Sequence, residues 1–318
     1  MDKRRIGNSA LEVAPLALGG NVFGWTADEP ASFAILDAFV DAGGTMIDTA
    51  DVYSAWAPGH TGGESETVIG RWLKRSGKRD RVVIATKVGF MAGLKPETIA
   101  AACNASLQRL GVECIDLYYQ HKDDDSVPLA DSLGAFEELI EHGKIREIGL
   151  SQFTPERLDE AMQVVETQGL TRPCALQAWY NLVERAKLEG PLGDTAIAHG
   201  LGIFPFYALA NGFLTGKYRS RGDLGKSVRG MRNAEYLDGR GPRVLAALDE
   251  VAAETGAALA SIALAWTMAQ PGITTPIASA TSLAQLEELL AGLTLELNPG
   301  QIERLTAASA YPKLRPAG

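Results

Sequence analysis

The stretch "TMIDTADVYS" (residues 45–54) joins a short apolar run to a group of polar side chains. The run ends on Asp48, and Asp51 and the phenol of Tyr53 follow within five residues. A continuous apolar run, rather than strict alternation, is typical of a strand covered on both faces, as in a parallel sheet. The segment therefore predicts a buried parallel strand whose carboxyl end presents an acid and a phenol.

Seven further runs of this kind occur along the chain, with helical patterns between most of them. Strands are predicted at residues 13–19, 45–48, 81–87, 114–121, 146–151, 174–177, 202–207 and 274–279. Helices are predicted at 32–43, 64–77, 96–111, 129–143, 154–169, 242–256 and 260–272, several with proline or acids in the first turn and glycine at the end. Eight strands alternating with helices are typical of an α/β protein of the (β/α)8 TIM barrel class.

A doubly wound open sheet is the rival fold. It usually places a G-x-G-x-x-G motif after its first strand, where this chain has "GGNVFGW" (19–25). Since that motif is missing and no interdomain linker or internal repeat is visible, we expect one barrel domain over residues 1–318.

Two additions to the regular barrel are predicted. The segment "RRIGNSALEV" (4–13) has the pattern of an N-terminal β-hairpin with "GNS" at its turn, which would plug one end of the barrel. A long loop follows strand seven and contains the basic, glycine-rich stretch 216–233. Loops of this length usually have a function, such as covering a site.

Composition excludes several classes of function. The 318 residues carry a formal net charge of −9, which argues against binding to nucleic acid or to an anionic membrane. Cys103, Cys114 and Cys174 lie in or beside apolar runs, which favours free thiols, and the four histidines show no metal-binding spacing. No apolar stretch is long enough to span a membrane. We expect a cytoplasmic protein without a metal site.

Active sites of TIM barrels lie where the carboxyl ends of the strands meet. Asp48 and Tyr53 follow strand two, Lys87 ends strand three and His121 ends strand four. Each of these residues alone has an ordinary interpretation as a solvated charge or a loop residue, and Asp51 is interpreted in that way. An acid, a phenol, an amine and an imidazole at neighbouring strand ends together predict a catalytic site.

The motifs extend beyond these four residues. They read "GGTMIDTADVYS" (43–54), "IATKVG" (84–89), "DLYYQH" (116–121), "GLSQF" (149–153), "LQAWYNL" (176–182), "FYALANGFLTGKY" (206–218) and "PIASATSLAQLEELL" (276–290). In this order they resemble the aldo-keto reductases over nearly the whole chain. The long seventh loop and "LTGKY" resemble the branch that contains bacterial reductases and the potassium-channel β subunits.

The resemblance implies an NAD(P)H-dependent oxidoreductase that reduces an aldehyde or ketone to an alcohol, or runs the reverse reaction. It implies a catalytic tetrad in which Tyr53 exchanges the proton and Lys87 lowers the pKa of that phenol. In the same scheme Asp48 pairs with Lys87, and His121 donates a hydrogen bond to the carbonyl oxygen.

The resemblance also implies a set of cofactor-binding residues: Gly20, Asn21, Asp48, Ser151, Gln152, Gln177, Phe206, Leu209, Gly212, Lys217, Arg229, Thr281, Gln285 and Glu288. Phe206 and Gln152 stand where the family more often has tyrosine and asparagine. NADPH is the cofactor that the family implies. Residues 279–285 contain no Lys or Arg to hold its 2′-phosphate, so NADH or dual use is left open.

Substrate contacts are expected from Trp25 and Trp56, which lie in the loops after strands one and two. Gly89 and Lys122 stand where some relatives carry bulky aromatics, which predicts a wider and more polar mouth, suited to a polyol, sugar-like or bulky ketone substrate. The alternative function is a regulatory NADP-binding subunit resembling the channel β subunits. The protein is expected to be a monomer or small homo-oligomer. A barrel with isomerase or phosphate-ester chemistry would need paired acids or a metal site, and neither is visible.

Overall fold

The computed structural model describes residues 2–311, in which eight parallel strands form one sheet. A separate antiparallel pair precedes them, β1 (Arg4–Arg5) with β2 (Glu12–Val13). The sheet consists of β3 (Ala17–Gly19), β4 (Met46–Asp48), β5 (Val83–Val88), β6 (Ile115–Gln120), β7 (Ile145–Ser151), β8 (Ala175–Trp179), β9 (Gly202–Phe206) and β10 (Ile277–Ala278). They are ordered as in the chain, with β10 beside β3.

The edges of this sheet approach each other just before β10. The amide of Thr274 donates to the carbonyl of Ile203 at 2.9 Å, and the amide of Ile203 donates to Gly272 at 3.3 Å. The sheet is therefore nearly closed, and the predicted (β/α)8 barrel is confirmed. The first and last strands are shorter than predicted, since β3 begins at Ala17 and β10 spans two residues.

Residues 2–311 contain ten α-helices, and the seven predicted ones are among them with ends shifted by up to four residues. They are α1 (Glu29–Asp41), α2 (Glu64–Ser76), α3 (Pro96–Leu110), α4 (Leu129–Glu141), α5 (Pro155–Gln168), α6 (Pro191–Ala198), α7 (Arg240–Thr255), α8 (Leu259–Met268), α9 (Leu283–Ala291) and α10 (Pro299–Ala308). The sequence analysis missed α6, α9 and α10. Capping follows the sequence: the Thr154 hydroxyl accepts from the amide of Arg157 at the start of α5.

The strands are buried on both faces, which explains their continuous apolar runs. Ala17, Met46, Ala85 and Leu117 belong to a cluster inside the barrel. Their neighbours in sequence point the other way and pack under the surrounding helices, as Ile47 does. This alternation with a period of two is the usual property of a β-strand.

The hairpin β1–β2 closes the end of the barrel at which the strands begin, as predicted. Ile6 and Val13 are fully buried in the inner cluster. Gly7 has a positive φ of 48°, and a Cβ atom there would lie 2.2 Å from the carbonyl oxygen of Cys174. Because only glycine tolerates both constraints, this position fixes the hairpin against the start of β8.

The long segment between β9 and β10 is also present as predicted. It contains 3₁₀ turns at Ala210–Thr215, Arg221–Lys226 and Gly230–Leu237, followed by α7 and α8. Taken singly, the helices of the described region are all too short or too polar to cross a membrane. Only α7 and α8 joined would meet the length and composition, and they are bent by 99° at their junction.

Candidate active site

Three predicted catalytic residues lie on the side of their strands that faces the inside of the barrel. Asp48 lies two residues after Met46, and Lys87 lies two residues after Ala85. His121 follows the inward-facing residue 119 in the same way. The strand period therefore directs all three side chains toward the barrel axis at the carboxyl ends. They are well shielded, with Asp48 and Lys87 each 1% exposed and His121 8% exposed.

A buried hydrogen-bond network centres on the Lys87 ammonium. Its Nζ lies 2.7 Å from Asp48 Oδ2, 2.7 Å from the carbonyl oxygen of Thr49 and 3.1 Å from Tyr53 Oη. The Tyr53 hydroxyl is also 3.4 Å from Asp48 Oδ2. The second oxygen of Asp48, Oδ1, accepts from the side-chain amide nitrogen of Gln177 at 2.5 Å. The structure thus brings together the predicted acid, amine and phenol, and adds Thr49 and Gln177 as partners that the sequence analysis missed.

His121 completes the group. Its ring lies 6.0 Å from that of Tyr53 and 4.9 Å from that of Phe90, centroid to centroid. The His121 amide donates to the carbonyl of Val88, and its own carbonyl accepts from the Gln152 side chain at 2.9 Å. Its Nδ1 is buried and has no hydrogen-bond partner within residues 2–311.

The protonation states of the site follow from burial. Burial and the nearby Lys87 hold the pKa of His121 well below its usual range, so the imidazole is neutral at pH 7. Burial and the Asp48 carboxylate raise the pKa of Tyr53 well above its usual range. Burial and the Asp48 carboxylate thus keep the phenol protonated in this structure, and the lowering of its pKa by Lys87 stays a prediction.

Two further acids, Asp51 and Glu66, lie near Lys87. Burial lowers the pKa of Lys87, and Asp48, Asp51 and Glu66 all oppose that shift. Burial and the proximity of Glu66 raise the pKa of Asp51 to about 6, and its Oδ1 has no partner in the described part of the chain. Glu66 accepts from Thr86 at 2.5 Å and from Arg109 at 2.6 Å. Asp51 lies in a turn, as predicted, but its Oδ1 is buried rather than solvated.

Backbone strain is concentrated at this end of the barrel. In the described residues, positive φ outside glycine occurs at Ser54 (77°), Gln152 (56°), Tyr207 (55°), Ala210 (48°) and Asn211 (54°). All five lie in segments that leave the carboxyl ends of β4, β7 and β9. Strained conformations cluster where a site must be held in a fixed geometry.

Comparison with known proteins agrees with this arrangement. The model of the aldo/keto reductase family matches residues 15–310. The chain belongs to the aldo/keto reductase family. Membership supports an oxidoreductase that uses NAD(P)H in general terms, and the barrel is the one expected from the sequence.

Curated relatives cover nearly the whole chain of this aldo/keto reductase. It is 31% identical to "Aldo-keto reductase str7" of Strobilurus tenacellus, over 93% of this chain and 86% of that protein. It is 32% identical to "Uncharacterized oxidoreductase YrpG" of Bacillus subtilis (strain 168), over 94% and 93% of the two chains. It is 30% identical to "Probable voltage-gated potassium channel subunit beta" of Oryza sativa subsp. japonica, over 96% of both. The predicted similarity to both reductases and channel subunits is confirmed.

The residues predicted for the nicotinamide lie beside the tetrad. Ser151 and Gln177 are directly paired in the register of β7 and β8, and both are buried. Gln152 follows at the end of β7 and is exposed. Phe206 ends β9 in an aromatic group, 6.2 Å from the Trp179 ring.

Two other predicted cofactor residues, Gly20 and Asn21, are already tied into the protein. The amide of Gly20 donates to the Asp48 carbonyl, and its carbonyl accepts from Ser65, both at 2.7 Å. The Asn21 side chain accepts from Ser279 at 2.5 Å, which links the loop after β3 to the segment after β10. The backbone polar groups of Gly20 are therefore used before any ligand binds.

The residues predicted for the adenosine end lie on and before α9. Gln285 Oε1 accepts from the amide of Thr281 at 2.9 Å and from its hydroxyl at 3.1 Å. Glu288 lies on α9 with an exposed side chain, and its carbonyl accepts from Ser261.

The long segment after β9 holds the remaining predicted cofactor residues. Leu209 packs between the two large apolar clusters, and Gly212 has a φ of 88°. The ammonium of Lys217 lies 5.2 Å from the Tyr218 ring. Burial lowers the pKa of Arg229, and no carboxylate of the described residues forms an ion pair with it. The electrostatic neighbours of Arg229 include Tyr207 and Tyr218, so it lies against the segment that follows β9.

Aromatic side chains form a wall beside the phenol. The predicted substrate residues Trp25 and Trp56 are 5.5 Å apart, and Trp56 is 5.9 Å from Tyr53. The sequence analysis missed Phe90, which covers His121. Gly89, with a φ of 99°, provides the turn that precedes Phe90, and the wider, more polar mouth expected at Gly89 and Lys122 stays a prediction.

Proposed function

We propose that this aldo/keto reductase reduces an aldehyde or ketone to an alcohol with NAD(P)H, with Tyr53 as the proton donor. The carrying observation is the position of Lys87 Nζ, 2.7 Å from Asp48 and 3.1 Å from the Tyr53 hydroxyl, beside His121 at the carboxyl ends of the strands. Acid, amine, phenol and imidazole from three segments meet around one place where a carbonyl oxygen would fit.

The proton chemistry supports reduction. A phenol whose pKa is raised stays protonated at pH 7, and that is the form that donates. Once the carbonyl carbon has accepted hydride, its oxygen becomes an alkoxide, which is more basic than a phenolate and takes the proton from Tyr53. The Lys87 ammonium at 3.1 Å then stabilises the phenolate that remains, and Asp48 holds the ammonium in place.

His121 is suited to orient the substrate. Its neutral imidazole carries one N–H, and burial keeps it neutral across the physiological range. An oxygen placed between the imidazole and the Tyr53 hydroxyl would receive a hydrogen bond from each side, which stabilises the charge that develops during reduction. Gln152 fixes the position of the His121 backbone.

The cofactor would supply the hydride, and the structure carries groups that fit it. A half-buried guanidinium without a carboxylate partner is stabilised when an anion binds it, which makes Arg229 suited to the pyrophosphate. Lys217, next to the strained glycine at residue 212, is the second cation. Ser151, Gln152 and Gln177 are proposed to hold the carboxamide and Phe206 to stack on the ring.

The cofactor, the cellular location and the oligomeric state are also proposed. We propose NADPH as the main cofactor, with NADH as the alternative, bound also by Gly20, Asn21, Leu209, Thr281, Gln285 and Glu288. Residues 1–318 are proposed to act as one barrel domain in the cytoplasm, as a monomer or small homo-oligomer, on a small-molecule carbonyl or alcohol.

A panel of aldehydes and ketones tests the proposal, with oxidation of NADPH and NADH followed by absorbance and cofactor binding followed by tryptophan fluorescence. We expect binding of at least one cofactor and turnover of at least one carbonyl. Binding without turnover of any carbonyl would instead favour the second candidate, a regulatory subunit. That candidate is favoured by the relatives from Oryza sativa and Arabidopsis thaliana, both named as probable channel β subunits.

A further inference from the structure

A second buried polar cluster lies on the outer face of β5, on the other side of the strand from the tetrad. Thr86 lies two residues after Ile84, which packs under the helices, whereas Lys87 points into the barrel. The Thr86 hydroxyl donates to Glu66 Oε1 at 2.5 Å, and Glu66 Oε2 accepts from Arg109 Nε at 2.6 Å. Helices α2 and α3 therefore meet the strand that carries Lys87 through a charged pair.

The segment after β4 connects this cluster to Lys87. The amide of Asp51 donates to the Lys87 carbonyl at 3.2 Å, and Lys87 Nζ donates to the carbonyl of Thr49 at 2.7 Å. Residues 49–51 thus hold Lys87 at both its backbone and its ammonium. The acids whose charges act on Lys87 are Asp48, Asp51 and Glu66.

Stability alone does not account for Glu66 and Asp51. Glu66 is fully buried, whereas 28% of the Arg109 side chain is exposed. Oδ1 of Asp51 is buried and accepts no hydrogen bond within residues 2–311. A well-packed apolar pair is often at least as stable as a buried ion pair, and a second buried acid reduces stability further. Two carboxylates that face one guanidinium leave a negative charge near Lys87 that folding does not need.

Lys87 must carry a positive charge to stabilise the phenolate that Tyr53 becomes when it gives up its proton. Burial favours the neutral amine, and negative charge nearby favours the ammonium. The other titratable or charged groups that face Lys87, Glu66 or Asp51 are Tyr118, Tyr119, His121, Cys103 and Arg109.

Four of these five groups stay neutral between pH 7 and pH 9. Burial raises the pKa of the two phenols and of the thiol, and it lowers the pKa of the imidazole. A change of the reaction rate in this pH range therefore reports on Lys87 and Tyr53.

We propose that Glu66 and Asp51 are positioning residues of the reaction, which hold Lys87 as an ammonium while Tyr53 donates its proton. This inference rests on the proposed function. In the described residues neither acid is hydrogen-bonded to Tyr53 or to the His121 side chain, so both act through Lys87. Asp51 does so through its charge and its amide, and Glu66 through its charge and the hydroxyl of Thr86.

The test is the pH dependence of carbonyl reduction by the full chain, with saturating cofactor. The wild-type rate should fall at alkaline pH as Lys87 or Tyr53 loses its proton. Glu66→Gln keeps the shape of the side chain and removes its charge, which favours proton loss from both groups. We expect the alkaline limb of kcat to move by about one unit to lower pH, with KM unchanged. Asp51→Asn should move it in the same direction.

Two further variants separate charge from shape. Glu66→Asp keeps the charge but is too short for both of its contacts, so it should lower thermal stability and leave the alkaline limb at the wild-type position. Glu137→Gln is the matched control, since Glu137 also accepts from a threonine, at 2.6 Å from the amide and 3.1 Å from the hydroxyl of Thr171, but lies on α4. It should leave the pH profile unchanged.

A structural role would give a different pattern. A loss of kcat in Glu66→Gln that is equal at every pH, or a limb that moves in Glu66→Asp but not in Glu66→Gln, would overturn the inference. If Glu66→Gln does not fold, an unmoved limb in Asp51→Asn overturns it as well. A wild type that reduces no carbonyl removes the proposed function and this inference with it, whereas turnover without a shift in the pH profile removes only this inference.

Discussion

Two buried carboxylates lie at opposite ends of the same barrel, and their partners differ. Asp48 and Asp116 are each 1% exposed. Asp116, near the start of β6, contacts Arg79 at 2.8 Å and Arg146 at 3.0 Å, and accepts from the amide of Ile84. Both arginines reach solvent, with 27% and 60% of their side chains exposed. Asp48 is instead paired with an ammonium that is itself buried.

The surroundings of Asp48 and Asp116 differ as well. Around Asp48 the structure leaves buried polar atoms without partners in the described region, namely Asp51 Oδ1 and His121 Nδ1. Unpaired buried groups and left-handed backbone both reduce stability. The end with Asp116 therefore contributes to stability. The end with Asp48 carries features that reduce stability but that a reaction can use. Such a separation of stability from catalysis is typical of TIM barrels.

The largest expected effect is that of Tyr53→Phe. This change removes the proton donor and leaves the Lys87–Asp48 pair intact, so we expect kcat to fall about a thousandfold, or about 4 kcal/mol in activation free energy. Cofactor affinity and the free energy of unfolding should stay near wild type. Turnover and denaturant titration measure the two quantities, and a variant with normal kcat would remove Tyr53 from its proposed role.

Asp116→Asn should show the reverse pattern. Removing the charge leaves Arg79 and Arg146 without their common buried partner, and we expect a loss of about 3 kcal/mol in the free energy of unfolding. Activity per folded molecule should be unchanged, since the tetrad lies at the other end. Asp249→Asn is the control: it breaks an exposed pair with Arg219 and should cost less than about 1 kcal/mol. A loss of activity without a loss of stability would contradict the proposed separation of the two ends.

Asp51→Asn tests whether the catalytic end is destabilising. The Asp51 pKa is raised from 3.8 to about 6 in the folded state, so the folded protein holds this proton more tightly than the unfolded chain. As pH rises from 4 to 6, the wild type therefore loses stability from this group, and the loss persists above pH 6. At pH 7 the variant should be more stable by on the order of 2 kcal/mol, with a difference that vanishes near pH 4. A difference independent of pH, measured by denaturation, would argue against this role.

The sequence predicted the parts of the site that depend on strand geometry. Asp48, Lys87 and His121 each end an apolar run, and a period of two places them inside the barrel together with the apolar residues before them. The position of Tyr53 was predictable because it follows β4 by only five residues. These are local relations between a strand and its own end.

The features that sequence analysis missed depend on packing between distant segments. The raised pKa of Asp51 depends on burial and on Glu66, which α2 brings close. The raised pKa of Tyr53 follows from burial and from an Asp48 oxygen 3.4 Å away, a geometry that residue types do not specify. Phe90 was missed because its contact with His121 joins the segments after β5 and β6, which neither segment shows by itself.

The smallest expected effect is that of Thr281→Arg, which tests cofactor choice at the end of the barrel that holds Asp48. Residues 276–292 contain Glu287 and Glu288 but no Lys or Arg, so a 2′-phosphate there would meet no cation from this segment. The backbone amide and the hydroxyl of Thr281 both donate to the Gln285 side chain. A guanidinium at this position adds a positive charge that does not affect the tetrad.

If the adenosine lies against this segment, Thr281→Arg should tighten NADPH relative to NADH about tenfold, or about 1.4 kcal/mol. The shift should shrink at high salt, since the pair is exposed to solvent. Thr281→Gln, which adds length without charge, is the control and should leave the ratio unchanged. Fluorescence titration with both cofactors measures it, and an equal change for NADPH and NADH would place the 2′-phosphate elsewhere. Because kcat with saturating cofactor should stay constant, this variant separates cofactor choice from the chemistry around Asp48.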